Sequence, residues 1–338
     1  MQLLFERVRA RPAELNLDTA RWIILSDHHR GQRDGADDFL RCEAAYHAAL
    51  GYYLEAGHRL VLLGDVEELW ESRPSTVMAA YPNTLALEAQ FYEDGRYQRY
   101  AGNHDDEWAS RRAVKRFLDP VHPGIEVLEG GCFRVSAGGS ALGTLLLAHG
   151  HQGLYWADRY RRLSRFLNRK IWRPLQRLLR VPSTTPARDF KLRNRHDRSM
   201  YAWTARQEKL ILVAGHTHRP VFMGSSHQAR VEEQLTRLLE DERAKPPSPD
   251  RLTRMAELRA ELEWTKVQDD EHREHAPPDR PKPCYFNSGC CSFGDGSITG
   301  IEIAGGTITL VRWPDRHGAP RPQILAAADL ETEVFAAL

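Results

Sequence analysis

The sequence predicts a layered α/β fold, and three observations carry that prediction. Short β-branched or Leu-rich runs alternate with helical patterns through the first half of the chain; alternation of this kind builds sheets covered by helices. The 338 residues are 41% apolar and 28% charged, enough to bury a sizeable core and incompatible with disorder throughout. No apolar run reaches the roughly 20 residues a membrane span needs.

Taken in order, MQLLFERVRARPAEL places Glu6 and Arg7 where a secretory leader needs an apolar segment, so no leader is expected. The first strand is expected at Trp22–Ser26, followed by a helix over 38–56 and a strand at Leu60–Leu63. A helix over 84–93, a strand at Tyr97–Ala101, a helix over 110–118 and a strand at Leu142–Ala148 continue the rhythm, with a fifth strand at Leu210–Ala214. Near the C-terminus, SITGIEIAGGTITLVRW reads as a β-hairpin turning at Gly305-Gly306.

Two segments interrupt the alternation. Between Arg159 and Arg180 there are nine Arg or Lys residues and no acid, with Tyr160, Leu163, Leu167, Ile171, Leu175 and Leu178 at helical spacing. With a second helical stretch over 189–206 it predicts a basic helical cap over residues 155–206. The second segment, 225–283, is highly charged and reads as a surface helical hairpin, turning at AKPPSPD and ending in a linker. Everything else belongs to one domain over 1–338.

Charge and cysteine usage narrow the class. Lys+Arg is 47 against Asp+Glu 46, a net charge of +1, which excludes a globally basic nucleic-acid coat. The basic segment offers only Tyr160, Phe166 and Trp172 for base stacking, so nucleic acid is not expected as the substrate. Its acid-free face suits an anionic substrate or an anionic membrane surface, with Arg161 and Arg165, together with Arg30, as candidate substrate-binding residues. Five cysteines without a CxxC pair read as reduced thiols in the cytoplasm, at most peripheral to the inner face of the membrane.

The chemistry lies at the end of each expected strand. WIILS ends in Asp27-His28-His29, LVLLG in Asp65, RYAG in Asn103-His104-Asp105, LLLA in His149-Gly150-His151 and LILVAG in His216-Thr217-His218. Carboxyl ends of strands form the ligand crevice of open α/β sheets. Oxygen and imidazole donors without Cys suit Mn²⁺ foremost, with Fe or Zn²⁺ as alternatives. Seven such ligands are too many for one ion and fit two divalent ions, one carboxylate bridging. With only two anionic ligands, the pair would keep a positive excess that attracts phosphate and acidifies bound water.

These blocks, in order, resemble the calcineurin-like metallophosphoesterases: D-x-H at 27–29, GD-x-x-(D/E) at 64–68, GNH-(D/E) at 102–105, a His at 149 and GHxH at 215–218. The resemblance implies a four-layer α-β-β-α sandwich of the metallo-dependent phosphatase type with an inserted helical cap. It implies one metal on Asp27, His29, Asp65 and His218, and the other on Asp65, Asn103, His149 and His216. Within the family the chain looks most like the UDP-2,3-diacylglucosamine hydrolase branch, through GDVEELW, GHTHRP and the basic helical segment between His149 and His216. It departs from that branch at His104, where the branch has Arg, at His151, where it has Asp, and in the hairpin after Pro220.

His104 carries a chemical consequence. A pyrophosphate leaves as a stable anion, whereas an alkoxide needs a proton. GNH in place of GNR therefore points to phosphomonoesters or diesters, with His104 as general acid oriented by Glu68. Hydrolysis of a lipid-linked nucleotide pyrophosphate is the alternative, and a nuclease ranks below it. The expected partner is a phosphorylated small-molecule or lipid-linked substrate; the oligomeric state is left open.

Overall fold

The computed structural model describes residues 1–151, 190–244, 248–268, 282–314 and 320–338. Helix α1 (Gln2–Val8) and strand β1 (Ala13–Asn16) open the chain. There follow β2 (Arg21–Leu25), α2 (Glu43–Glu55), β3 (Arg59–Leu63), α3 (Pro74–Ala80), α4 (Pro82–Glu93), β4 (Tyr97–Tyr100), α5 (Arg111–Phe117) and β5 (Val127–Leu128). Next come β6 (Gly130–Ala137), β7 (Ser140–Ala148), α6 (Phe190–Thr204), β8 (Leu210–Ala214), β9 (Pro220–Phe222) and β10 (Ser225–Ser226). Helices α7 (His227–Ala244) and α8 (Pro249–Gln268) precede β11 (Tyr285–Ser288), β12 (Ile298–Ala304), β13 (Thr307–Trp313) and β14 (Gln323–Asp329).

These strands form two sheets. One runs β14-β13-β12-β2-β3-β4-β5 and the other β1-β6-β7-β8-β11-β9-β10. Side chains alternate across a strand, and the alternation here assigns each apolar residue to a layer. Trp22, Ile24, Val61 and Leu63 meet Leu145, Leu147, Ile211 and Val213 in one core between the sheets. On the outer face of the first sheet, Ile23, Leu25, Leu60 and Leu62 pack under Ala45, Tyr46, Ala49, Leu50 and Tyr53 of α2 and Phe91 of α4. On the outer face of the second, Leu146, Ala148, Leu210 and Leu212 pack against Leu4 and Phe5 of α1 and Met200 of α6. The molecule is thus a four-layer α-β-β-α sandwich. Both faces of the central strands are covered, which is why they read as continuous apolar runs rather than alternating ones.

Several elements differ from the sequence-based expectation. The helix expected over 38–56 divides into a 3₁₀ turn at Asp38–Arg41 and α2, separated by Cys42. Strand β6 went unanticipated because GGCFRVSA shows no clean alternation; it is held by pairing to β1 and β7. The hairpin at Gly305-Gly306 forms in the expected register, with Ala304 opposite Thr307. Helices α7 and α8 occupy the charged insertion. His227 lies 2.7 Å from Glu261, and the Trp264 indole donates to Asp295 at 2.8 Å. Val231, Met255 and Leu258 of these helices are buried, whereas Leu239 and Leu252 stay exposed.

Most of the expected basic cap, including Arg161 and Arg165, lies outside the described residues. Its C-terminal part is α6, which covers the second sheet. Among the described residues no helix is long and apolar enough to cross a membrane.

Candidate metal centre

Strands β2, β3 and β4 run parallel in one sheet, and β7 and β8 run parallel in the other. Their carboxyl ends deliver the five sequence blocks to one place. Among the described residues eight non-glycine positions have positive φ, and five of them are expected ligands: Asp27 (54°), His29 (50°), Asp65 (50°), His216 (73°) and His218 (57°). A left-handed backbone is costly for such residues and persists where surrounding structure enforces it, typically at functional sites. Here the turn out of each strand aims the next side chain inward.

The donor atoms converge in three groups. Asp27, His29 and His218 form one, Asp65, His149 and His216 a second, and His29, Glu68 and His104 a third. His149 Nδ1 lies 2.9 Å from the Leu63 carbonyl, so it is the nitrogen that carries the proton. Its Nε2 lone pair then faces Asp65 Oδ2 at 3.0 Å, acceptor to acceptor. His29 repeats the pattern: its Nδ1 lies 3.0 Å from the Glu68 carboxylate, and its Nε2 faces His218 Nε2 at 3.0 Å. Asp27 Oδ1, Asn103 Oδ1 and His149 Nε2 are buried without a hydrogen-bond partner. Buried acceptors pointed at one another are expensive unless a positive charge sits among them. The donor set therefore fits metal cations. Asp65 stands between the groups, with Oδ2 3.0 Å from His149 and 3.9 Å from His29.

Protonation in the cation-free protein tells the same story. Burial opposes charge on His29, but the Glu68 hydrogen bond and the carboxylates of Asp65, Glu68 and Asp27 outweigh it and raise its pKa to about 10. His149 is likewise raised, against burial, to about 9 by Asp65 and Asp27. Despite burial, His149 and His104 hold Asp65 well below the usual carboxylate range. Protons take the place that a cation would occupy.

At the edge of this centre, Glu68 Oε2 lies 2.7 Å from His104 Nδ1 and 3.0 Å from His29 Nδ1. One carboxylate oxygen thus orients both rings. Burial would raise Glu68, yet His104 and His29 pull it down to about 2. His104 is raised, its burial overcome by Glu68 and Asp65, which favours the imidazolium. The Trp70 indole stacks on the His104 ring, centroids 4.2 Å apart at 20°.

Packing around the ligands leaves no room for side chains at certain glycines. A Cβ on Gly102 would fall on Asp65 Oδ1, and one on Gly64, whose φ is 90°, would stand 2.7 Å from the His149 ring. Asp105 precedes a short 3₁₀ turn but makes no side-chain cap bond to it. Its carboxylate accepts from Val66 N at 2.9 Å and Gly102 N at 2.6 Å, tying two ligand loops together. His28 is fully buried against Phe39 and Tyr46. His151 sits at the rim, its ring 5.5 Å from that of His149.

Arg30 is a correction. Although it follows the first ligand block, it is 1% exposed, pairs with Glu88 and lies over the Phe39 and Tyr46 rings. The chain after His29 turns inward and carries the guanidinium into the core, where it cannot meet a substrate. Arg99 is engaged in the same way by Glu67 and Trp108.

Residues 287–291, at the end of β11 and just beyond it, adjoin the ligand loops, with Cys291 N donating to the Asp27 carbonyl at 3.2 Å. Asn287 Nδ2 donates to Gly215 O at 2.7 Å, and Ser288 Oγ meets Ser26 Oγ at 2.7 Å beside Asp27. Ser292 Oγ donates to Asp27 O at 2.8 Å. The end of β11 and the residues after it therefore support the Asp27 and His216 loops from behind.

No family model matches the sequence, and no curated protein matches it. Among solved structures, vacuolar protein sorting 29 from Cryptosporidium parvum is similar over 92% of this chain and 98% of its own, at 13% identity and a TM-score of 0.33. That likeness is too low to carry fold or activity from one to the other. The case for function rests on the architecture and the donor geometry of this chain.

Proposed function

We propose that the protein is a metallophosphoesterase that hydrolyses phosphate esters, phosphomonoesters or phosphodiesters, with two divalent cations, Mn²⁺ foremost. The single observation that carries this reading is the convergence of Asp and His side chains from the strand ends on one place, with Asp27 Oδ1, Asn103 Oδ1 and His149 Nε2 buried there as acceptors without a partner. Asp27, His29 and His218 would hold one cation, and His149, His216 and Asn103 the other, with Asp65 between them. Bound there, the cations supply Lewis acidity toward phosphoryl oxygens and lower the pKa of water.

The chain's own contribution is orientation and proton delivery. Glu68 anchors His104 through Nδ1, which leaves Nε2 to present a proton to a departing oxygen. Trp70 covers one face of the ring and restricts it to that plane. A positioned acid matters for alkoxide leaving groups and little for pyrophosphate, which favours esters over the lipid-linked pyrophosphate reading.

A hydrolysis screen with Mn²⁺ tests the proposal, comparing a chromogenic monoester, a chromogenic diester, a nucleotide pyrophosphate and short DNA. Ester turnover that Asp65→Ala abolishes supports it. Turnover of the pyrophosphate alone would hand the assignment to the other branch, and turnover that survives Asp65→Ala would overturn the metal centre.

A further inference from the structure

We propose that Asp197, on α6, is a positioning residue for the loop that carries His216 and His218, with His196 bracing His216 beside it. The inference rests on the metal-centre reading and adds a helix that none of the five strand-end blocks contains. Asp197 is a buried carboxylate, 5% exposed. Its Oδ1 accepts from the Tyr285 hydroxyl at 2.7 Å and from the Thr217 hydroxyl at 3.1 Å, and Arg219 Nε lies 3.8 Å from Oδ2. Asn287 Nδ2 closes the network, 3.2 Å from both Thr217 Oγ1 and Tyr285 Oη. One carboxylate thus joins α6, the start of β11 and the turn after β8.

Thr217 makes that junction consequential. It lies between two candidate ligands whose backbones are both left-handed, at 73° and 57°. A strained turn holds its shape only when neighbouring groups over-determine it. The hydroxyl of Thr217 gives Asp197 a direct hold on the middle of the turn. Adjacent on the helix, the His196 ring packs at 5.0 Å and 65° on the His216 ring, and it is 5% exposed. Covering the sheet does not require these polar contacts, because Met200 of the same helix already packs on Leu210 and Leu212. Groups that orient ligands from behind are typically worth about 10–100-fold in metal affinity.

Mn²⁺ titration calorimetry on the full chain tests this without relying on turnover. Wild type should take up two ions. Asp197→Ala should weaken binding about 10–100-fold, Asp197→Asn, which keeps an acceptor for Tyr285 and Thr217, should restore it, and Thr217→Val should show the loss without touching Asp197. As a control for general destabilisation, Phe335→Leu alters a buried residue packed on Gly143, at the end of β7 opposite His149, and should leave affinity unchanged. If Asp197→Ala does not fold, Thr217→Val decides alone. Wild-type affinity in Asp197→Ala or Thr217→Val, or an equal loss in Phe335→Leu, would overturn the inference. A wild-type protein that takes up no cation would instead fail the metal-centre reading on which it stands.

Discussion

Replacing His104 with Ala isolates the proton-transfer role from metal binding. In the structure His104 meets the centre through Glu68, through an edge-to-face contact of its ring with that of His29 at 4.6 Å, and through its backbone N–H, which donates to Asp65 Oδ1 at 2.7 Å. The substitution keeps that backbone bond, and Glu68 keeps its contact with His29. Both cations should therefore bind as in wild type, which Mn²⁺ calorimetry would show. A positioned general acid is worth about 10²–10⁴-fold, or roughly 2.7–5.4 kcal/mol of barrier. Against burial, Glu68 and Asp65 raise the His104 pKa, the direction that favours the protonated acid. The loss should appear in full for alkyl esters, whose alkoxides need a proton, and should nearly vanish for 4-nitrophenyl esters, whose leaving group departs without one. The assay is kcat/KM across a series of leaving groups, wild type against variant. Equal loss on both ends of the series with both cations retained would refute the reasoning. His104 would then be gripping the phosphate, and the pyrophosphate reading would move ahead.

Two further predictions address stability. In the cation-free protein His29 and His149 have pKa values raised from 6.5 to about 10 and about 9, and Glu68 is lowered from 4.5 to about 2. The histidines stabilise the fold fully below pH 6.5, and that contribution is lost as pH climbs toward 9–10; Glu68 contributes above 4.5 and is lost toward 2. The raised histidines should thus make the Tm of chelator-treated protein decline as pH rises from about 6.5 toward 10, while Mn²⁺ affinity rises with pH as protons are displaced; a Tm flat from pH 6.5 to 10 would contradict this. Separately, Glu88→Ala strands the buried Arg30 and removes the acceptor of the Tyr46 hydroxyl. It should cost about 3–5 kcal/mol in urea denaturation and leave Mn²⁺ binding unchanged, whereas a change within about 0.5 kcal/mol, the range of surface substitutions, would show that Arg30 is not committed to the core.

Much of the fold and the centre was legible in the sequence because the signals are local. A run such as WIIL or LVLL can only be a strand covered on both faces, and the ligand comes within two or three residues of its end, before the chain can turn away. The glycines beside the ligands were legible for the same reason: the turn and the close approach are properties of adjacent residues. What the tertiary structure alone decided is which distant groups support the site. Ser26 meets Ser288 across 262 positions, Glu68, expected on His104, also reaches His29, and Asp197 holds Thr217 from a helix outside the motif. Arg30 shows the limit of the local signal. Its neighbours in sequence are ligands, yet the direction of the loop after His29 sends it to Glu88 in the core. Local sequence determines backbone period and residue type; the partners of a buried polar atom depend on how separate layers pack, and no short window of sequence contains them.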